Sequence, residues 1–263
     1  MKAILLAAGL GTRLKPLTDN WPKCLMPINK KPLLEYWLDS LIKSGVKEIL
    51  INLHYFPKIV ESFVKNSLYK DHVIFSEEKE LLGTAGTIVK NKKFITNSKI
   101  LLIHADNLCI CSLKKFIDFH DNLRPKETKI TMMTFNTKKP KDSGIVVCNN
   151  KGIVQSFYEK SEKDYGDLAN AAVYMIEPSV LNWIVENNLK DFSTEVLPNF
   201  MNRISTWHNN KVLRDIGSLE ELLKAQYDVE PHKDNNSYYS WEYNDNFIKI
   251  CEKVDQLITN EKK

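Results

Sequence analysis

The strongest chemical character in this chain lies in a turn, Ala7–Ala8–Gly9–Leu10–Gly11–Thr12–Arg13–Leu14, with Lys23 a short way on. Glycine reaches positive φ at little cost and lets backbone N–H groups come close to a bound anion. A guanidinium and an ammonium beside such a turn suit the charge of phosphate oxygens. Two common phosphate loops are ruled out. G-x-x-x-x-G-K-[ST] is absent, and Leu14 stands where G-x-G-x-x-G needs its third glycine. Asn52 also takes the place of the acidic residue expected near the end of a dinucleotide fold's second strand. Taken alone, Gly9-x-Gly11 equally describes a tight turn with no ligand.

Asp106 ends the run Leu101–Leu102–Ile103–His104–Ala105–Asp106. The carboxyl ends of parallel strands are where α/β sheets bind ligands. A hard carboxylate there suits Mg²⁺, which takes one or two carboxylates and completes its shell with water and phosphate oxygens. Asp215 lies just ahead of Ser218, a place that also suits a helix dipole. Glu159–Lys160 closes a predicted strand. Strand neighbours face opposite ways unless a bulge intervenes, so in isolation this pair reads as surface charge. Lys15 reads as solvent-exposed, and His104 and Trp207–His208 as packing residues. Cys109-x-Cys111 has no partners at zinc spacing, and no Ser/His/Asp or Cys/His nucleophile set can be assembled.

These groups need a frame. Apolar runs at residues 2–8, 48–53, 72–76, 99–104 and 129–135 read as strands. Helical periods at 32–44, 57–68, 84–90 and 112–120 alternate with them. Such alternation builds right-handed βαβ units and a sheet covered on both faces. After Pro140 the pattern changes to a hairpin, 144–148 and 153–159 across Asn149–Asn150–Lys151–Gly152, and a strand at 169–176. Helices are predicted at 179–186, at 193–202, and from the capping-box spacing Ser218–Glu221 to Tyr227. Residues 229–246 are polar and aromatic, a linker or wrap. Phe247, Ile250, Cys251, Val254 and Ile258 share one helical stripe. It is expected to dock on its own domain, with a homo-oligomeric contact as the alternative. The expected fold class is α/β, a doubly wound, mostly parallel mixed sheet with helices on both faces.

Composition narrows the classes. With 43% hydrophobic and 27% charged residues, the chain is not a disordered one. No apolar run approaches the ~20 residues of a membrane helix, and no signal peptide is expected. Five cysteines, an odd number without framework spacing, read as reduced thiols in a cytoplasmic protein. A net charge of +4 spread over the chain is too weak to argue for nucleic acid, and no nucleic-acid partner is expected.

The segment Gly11–Thr12–Arg13–Leu14–Lys15–Pro16–Leu17–Thr18–Asp19–Asn20–Trp21–Pro22–Lys23 resembles the signature of sugar-1-phosphate nucleotidyltransferases, also called nucleotide-sugar pyrophosphorylases. The resemblance continues in order through Leu82–Gly83–Thr84–Ala85–Gly86, Ala105–Asp106, Glu159–Lys160, Asn170–Ala171–Ala172 and Asp215–Ile216–Gly217. It implies a Rossmann-like nucleotidyltransferase domain over residues 1–228, with a nucleotide half (about 1–140) and a sugar half (about 141–228). Residues 229–263 form an extension beyond it.

By that resemblance Arg13 and Lys23 act on the triphosphate and the reacting phosphates. Leu6, Ala8, Gly9, Gly11, Thr12, Glu78, Gly83, Thr84 and Ala105 join them in holding the nucleotide. Asp106, Gly144, Glu159, Lys160 and Asn170 hold the sugar phosphate, and Asp106 and Asp215 hold Mg²⁺. Ala172 departs from the pattern, since the family often has glycine there. The implied reaction joins an NTP to a sugar 1-phosphate and releases pyrophosphate, for surface polysaccharide or glycoconjugate synthesis. A phosphate monoester has its second pKa near ~6, so it attacks as a dianion without a general base. The demand is for cations and backbone donors. Residues 77–86 and 191–198 look most like the mannose- or heptose-1-phosphate guanylyltransferase branch, which favours GTP; thymidylyl, uridylyl and cytidylyl transfer stay open. Two rivals come from other classes. A glycosyltransferase would normally carry Asp-x-Asp where this chain has Asp106–Asn107–Leu108. A non-catalytic regulatory subunit would have no need to keep Arg13, Lys23, Asp106 and Asp215 together.

Overall fold

The computed structural model describes residues 1–230 and 244–261. Most of the segment expected as a linker or wrap, residues 231–243, lies outside the described residues. Along the chain run β1 (Lys2–Leu6), β2 (Pro27–Ile28), β3 (Lys31–Pro32), α1 (Leu33–Lys43), β4 (Glu48–Leu53), α2 (Pro57–Lys65) and β5 (Val73–Glu77). Next come α3 (Gly86–Lys90), α4 (Lys92–Ile95), β6 (Ile100–His104), β7 (Asn107–Cys109), α5 (Leu113–Asn122) and β8 (Ile130–Asn136). The second half holds β9 (Gly144–Cys148), β10 (Val154–Glu159), β11 (Leu168–Ile176), α6 (Pro178–Glu186), β12 (Ile204–His208), β13 (Leu213–Asp215), α7 (Leu219–Asp228) and α8 (Asp245–Glu261).

The strands β5, β4, β1 and β6 are parallel neighbours in that order. Ala3, Ile4 and Leu5 are fully buried, because a parallel strand covered on both faces must be apolar throughout. Register aligns Leu6 with both Asn52 and His104, so three strands end at one level. Beyond β6 the sheet becomes mixed. The C-terminal part of β11 runs antiparallel to β6, while its N-terminal part reaches β9 through Ala169 and Ile145. The changeover is a bulge between Asn170 and Tyr174, where Ala172 takes a φ of 55°. β8 flanks β11, β12 pairs parallel with β8, and the β9–β10 hairpin is as expected.

Two apolar cores cover the sheet, as a doubly wound fold requires. One joins α1, α2, α5, α7 and α8, around Trp37, Phe63 and Phe116. The other joins α3, α4, α6 and the segment 192–200, around Tyr174 and Phe192. Phe247, Ile250 and Val254 of the C-terminal stripe are buried in the first core, with Cys251 and Ile258 packed beside them. α8 thus lies on its own chain, against β2 and α7, and Phe247 meets Trp21 with ring centroids 6.1 Å apart.

Residues 193–202 do not form the expected α-helix. A single π turn, Phe192–Val196, passes into a 3-10 turn, Leu197–Phe200. Pro198 has no N–H to continue an α ladder. Local carboxylates set the entry: Asp191 accepts Thr194 N–H at 2.8 Å, and Glu195 turns back to accept the N–H groups of Lys190 and Asp191 at 2.6 and 2.8 Å. The Ser218 hydroxyl does cap α7, accepting from Glu221 N–H. Among the described residues no helix is long and apolar enough to cross a membrane.

Candidate active site

The carboxyl edge of β1, β4 and β6 opens on a cavity of about 220 Å³. Leu6, Ala8, Gly9, Lys23, Glu78, Gly83, Thr84 and Asp106 line it, together with Asn52 and His104. At one end, Lys23 Nζ donates to Asp106 Oδ2 at 2.7 Å and to Asp215 Oδ1 at 2.9 Å. Arg13 reaches the other oxygen of Asp215 at 3.3 Å. The four charged residues singled out in the sequence therefore meet.

Each is placed by a short local device. Gly11, at a φ of 64°, passes close under Lys23, where a Cβ would lie 3.1 Å from the lysine Cβ and 2.9 Å from the Thr18 methyl. The Thr18 hydroxyl donates to Gly11 O at 2.8 Å and closes the turn. Asp106 follows β6 after one residue, Ala105, whose N–H is used on Leu6 O at 3.0 Å. Ala105 is fully buried, so it supports this turn from beneath the cavity. Asp215 arrives on β13, which pairs antiparallel with β7 so that Asp215 lies opposite Asn107, the neighbour of Asp106. A Cβ on Gly217 would sit 2.9 Å from both Arg13 Cζ and Asp215 Oδ1, so glycine leaves the space the guanidinium occupies. Thr12 lies in the 3-10 turn Thr12–Leu14 beside Arg13. Lys15 pairs with Asp19 at 3.2 Å on the surface, as expected.

The lysine side chain is only 6% exposed. Burial opposes its charge, but Asp106 and Asp215 outweigh burial and hold its pKa above the ordinary lysine value. Burial likewise opposes ionisation of Asp106, and Lys23 and His104 outweigh it, leaving the carboxyl below its usual range. Burial pushes His104 down against the pull of Asp106 and Asp191. Asp106 and Asp215 already share one cation, the Lys23 ammonium, and both offer hard oxygen donors. That donor set fits a divalent ion that takes its remaining ligands from phosphate and water. Among the described residues no three His, Cys, Asp or Glu side chains form a complete cage.

Deeper in the cavity Glu78 is 2% exposed. Its Oε1 accepts from Thr87 Oγ1 at 2.7 Å and Asn52 Nδ2 at 3.1 Å. Asn52 in turn accepts from Ala7 N–H at 2.7 Å and so ties this network to the first turn. Glu78 Oε2 has a long contact, 3.4 Å, from Leu82 N–H. The loop above is clasped from the second half of the chain. Lys190 O accepts the N–H groups of Ala85 and Gly86 at 2.9 and 3.1 Å. A Cβ on Gly83, at a φ of 83°, would drive into that carbonyl. Thr84 Oγ1 accepts Phe192 N–H at 2.7 Å.

In the second half Gly144, Glu159 and Asn170 lie on adjoining strands. A Cβ on Gly144 would fall 2.7 Å from the Phe157 ring and 2.9 Å from Glu159 Oε2. Lys160 takes a left-handed φ of 47°, which breaks the strand alternation that would send Glu159 and Lys160 to opposite faces. The Asn170 amide works on the bulge itself, accepting Ala172 N–H at 3.0 Å and donating to Tyr174 Oη at 2.5 Å. Sequence reasoning did not find Asn52, His104, Tyr174 or Asp191 as neighbours of the site. For Asn52, a polar residue inside the apolar run of β4, a signal was present.

The profile of the Nucleotidyl transferase family matches residues 2–232, and the chain belongs to that family. It is 28% identical over 231 residues to mannose-1-phosphate guanyltransferase 2 of Candida glabrata, covering 85% of this chain and 63% of the relative. It is 32% identical to the mannose-1-phosphate guanylyltransferase catalytic subunit beta of Drosophila melanogaster, covering 75% and 53%. The chain thus spans between half and two thirds of the length of these curated relatives. The crystal structure of HddC from Yersinia pseudotuberculosis, complexed with GMP-PN, superposes with a TM-score of 0.71 at 28% identity, covering 86% of this chain and 98% of that one.

Proposed function

We propose that this protein transfers a nucleotidyl group from an NTP to a sugar 1-phosphate, giving an NDP-sugar and pyrophosphate. The observation that carries this is the bridge of Lys23 between Asp106 and Asp215, with Arg13 alongside, at the carboxyl edge of a parallel sheet. Displacement at an α-phosphorus needs two polyanions brought together and charge stabilised in flight. Arg13 and Lys23 supply fixed positive charge where the attacking and leaving oxygens would lie. Gly9 and Gly11 let backbone donors come close to the phosphates. Asp106 and Asp215 would hold Mg²⁺, which when bound neutralises phosphate charge and polarises the phosphoryl oxygens. Glu159, Asn170 and Gly144 form the sugar side, and Lys160 meets the sugar phosphate.

Glu78 favours guanine. Guanine sets a ring N–H and an exocyclic amine side by side, two donors for one carboxylate, whereas uracil and thymine offer a single ring N–H. Oε1 is already taken by Thr87 and Asn52, so Oε2, with only the long contact from Leu82 N–H, is the oxygen that would take one of these donors, and charge-assisted bonds of this kind are strong. GTP and a mannose- or heptose-like 1-phosphate are the substrates this supports, in a cytoplasmic route to surface polysaccharide or glycoconjugate.

Pyrophosphate release is to be measured with each NTP, Mg²⁺ and a panel of sugar 1-phosphates. Release with GTP and mannose or heptose 1-phosphate is expected. Release only with another NTP would overturn the base assignment. NDP-sugar consumption without pyrophosphate would indicate a glycosyltransferase, and silence with every pair would indicate a non-catalytic subunit.

A further inference from the structure

Asp215 sits on a weak element. β13 has three residues and pairs with another three-residue strand, β7. A two-stranded ribbon of this kind is marginal alone, yet it carries the carboxylate that accepts from Lys23 at 2.9 Å and from Arg13 at 3.3 Å. The residue before it, Arg214, lies on the opposite side of the strand and reaches α7. Arg214 Nε and NH2 take the two oxygens of Asp228, in the last turn of the helix, the NH2 bond being 3.1 Å. Arg214 NH1 takes Glu221 in the first turn. The three side chains are 18 to 24% exposed, so the clamp is largely withdrawn from water, and its fork geometry fixes direction as well as distance.

The helix that receives this clamp is itself tied to the lysine side of the site. Gln226 Nε2 donates to Pro27 O at 3.0 Å, and its Oε1 accepts Asn29 N–H at 2.8 Å. Those residues belong to the β2–β3 turn that follows Lys23–Leu25. One rigid helix therefore references both Asp215, through Arg214, and Lys23, through Gln226.

We infer that Arg214 is a positioning residue that sets the Asp215 carboxylate for the metal and the triphosphate, by clamping β13 to both ends of α7. This rests on the proposed reaction for its kinetic consequence, but its structural consequence is independent of turnover. Partners that orient a metal ligand change metal affinity or activity by roughly 10–100-fold when removed.

The test compares Arg214→Gln and Arg214→Lys with the unmodified protein, reading Mn²⁺ affinity by electron paramagnetic resonance with a non-hydrolysable GTP analogue bound, and the Mg²⁺ concentration for half-maximal pyrophosphate release. Arg214→Gln should weaken Mn²⁺ and raise the Mg²⁺ requirement by about 10-fold. The KM for sugar 1-phosphate should stay within twofold, and Arg214→Lys, which keeps charge but not the fork, should fall between. In an Asp215→Asn background, Arg214→Gln should weaken Mn²⁺ no further. A folded Arg214→Gln protein with unchanged Mn²⁺ affinity, or equal losses in both backgrounds, would overturn the inference and leave Arg214 a stabilising residue only. Should Arg214→Gln fail to fold, Asp228→Asn removes one arm of the clamp and is read the same way. If the unmodified protein releases no pyrophosphate from any NTP, the proposed reaction fails, while the Mn²⁺ comparison made with the metal alone still decides the role of Arg214.

Discussion

Lys23 and Asp215 are separated by 192 positions in the chain and by 2.9 Å in space. Asp106, 83 positions from the lysine, closes the other side at 2.7 Å. Two carboxylates and two cations thus neutralise one another in the site; in the proposed reaction the cations would turn to phosphate oxygens and the carboxylates to Mg²⁺.

Asp106→Asn should lower turnover by at least ~100-fold, and excess Mg²⁺ should restore it only weakly, since a neutral amide is a poor ligand for a hard cation. Steady-state pyrophosphate release across a Mg²⁺ series is the measurement; rates near wild type would remove Asp106 from the metal site.

Gly217→Ala should act on the Arg13–Asp215 pair, since the added Cβ meets both the guanidinium and Asp215 Oδ1. The added methyl occupies guanidinium space, and the long arginine can swing away at little cost to the fold. Melting temperature should hold nearly constant while kcat falls by about 10–100-fold, the range for loss of one charge-stabilising donor. An unchanged kcat would mean that the Arg13–Asp215 pair does not act from this position.

Lys160→Ala should raise the KM for sugar 1-phosphate by about 10-fold, the scale of one lost charge-assisted bond, with the NTP constant nearly unmoved. Movement of the NTP constant alone would put the sugar phosphate elsewhere.

Far from the site, the fully buried His120 ring contacts Thr131 Oγ1 at 2.7 Å and Glu177 at 3.1 Å. Burial, and then Arg124, push its pKa down to about 4. The unfolded chain, with an ordinary value near ~6.5, takes up a proton between about pH 6.5 and 4 that the folded chain refuses. The stability His120 contributes is therefore complete above about pH 6.5 and declines as pH falls through that window, by on the order of 3 kcal/mol at pH 4. Urea unfolding at pH 7, 5.5 and 4.5 checks this, and His120→Gln should flatten the trend; an equally steep fall in that variant would assign it to other groups.

Much of this was legible locally. The buried strands β1, β4 and β6 announce themselves as apolar runs because both faces must be covered. The cap at Ser218, the β9–β10 hairpin and the left-handed Gly11 follow from short-range chemistry. So do the charged candidates, because Gly11–Thr12–Arg13 and Pro22–Lys23 lie within one stretch of chain. Residues 193–202 depart from their helical periodicity because Pro198 and two carboxylates that bond nearby N–H groups compete with it.

The amino-acid order by itself determined most of the larger strands and helices, the faces they bury and the cations that flank the glycine turn, since these depend on neighbours a few residues away. Tertiary structure alone decided that Asp215 lies opposite Asn107, that Lys190 clasps the Gly83 loop, that Asn52 anchors Glu78, and that α7 braces both sides of the site. Those relations join segments far apart in the chain, and their closing distances are set by how whole helices and strands pack, which no local pattern encodes.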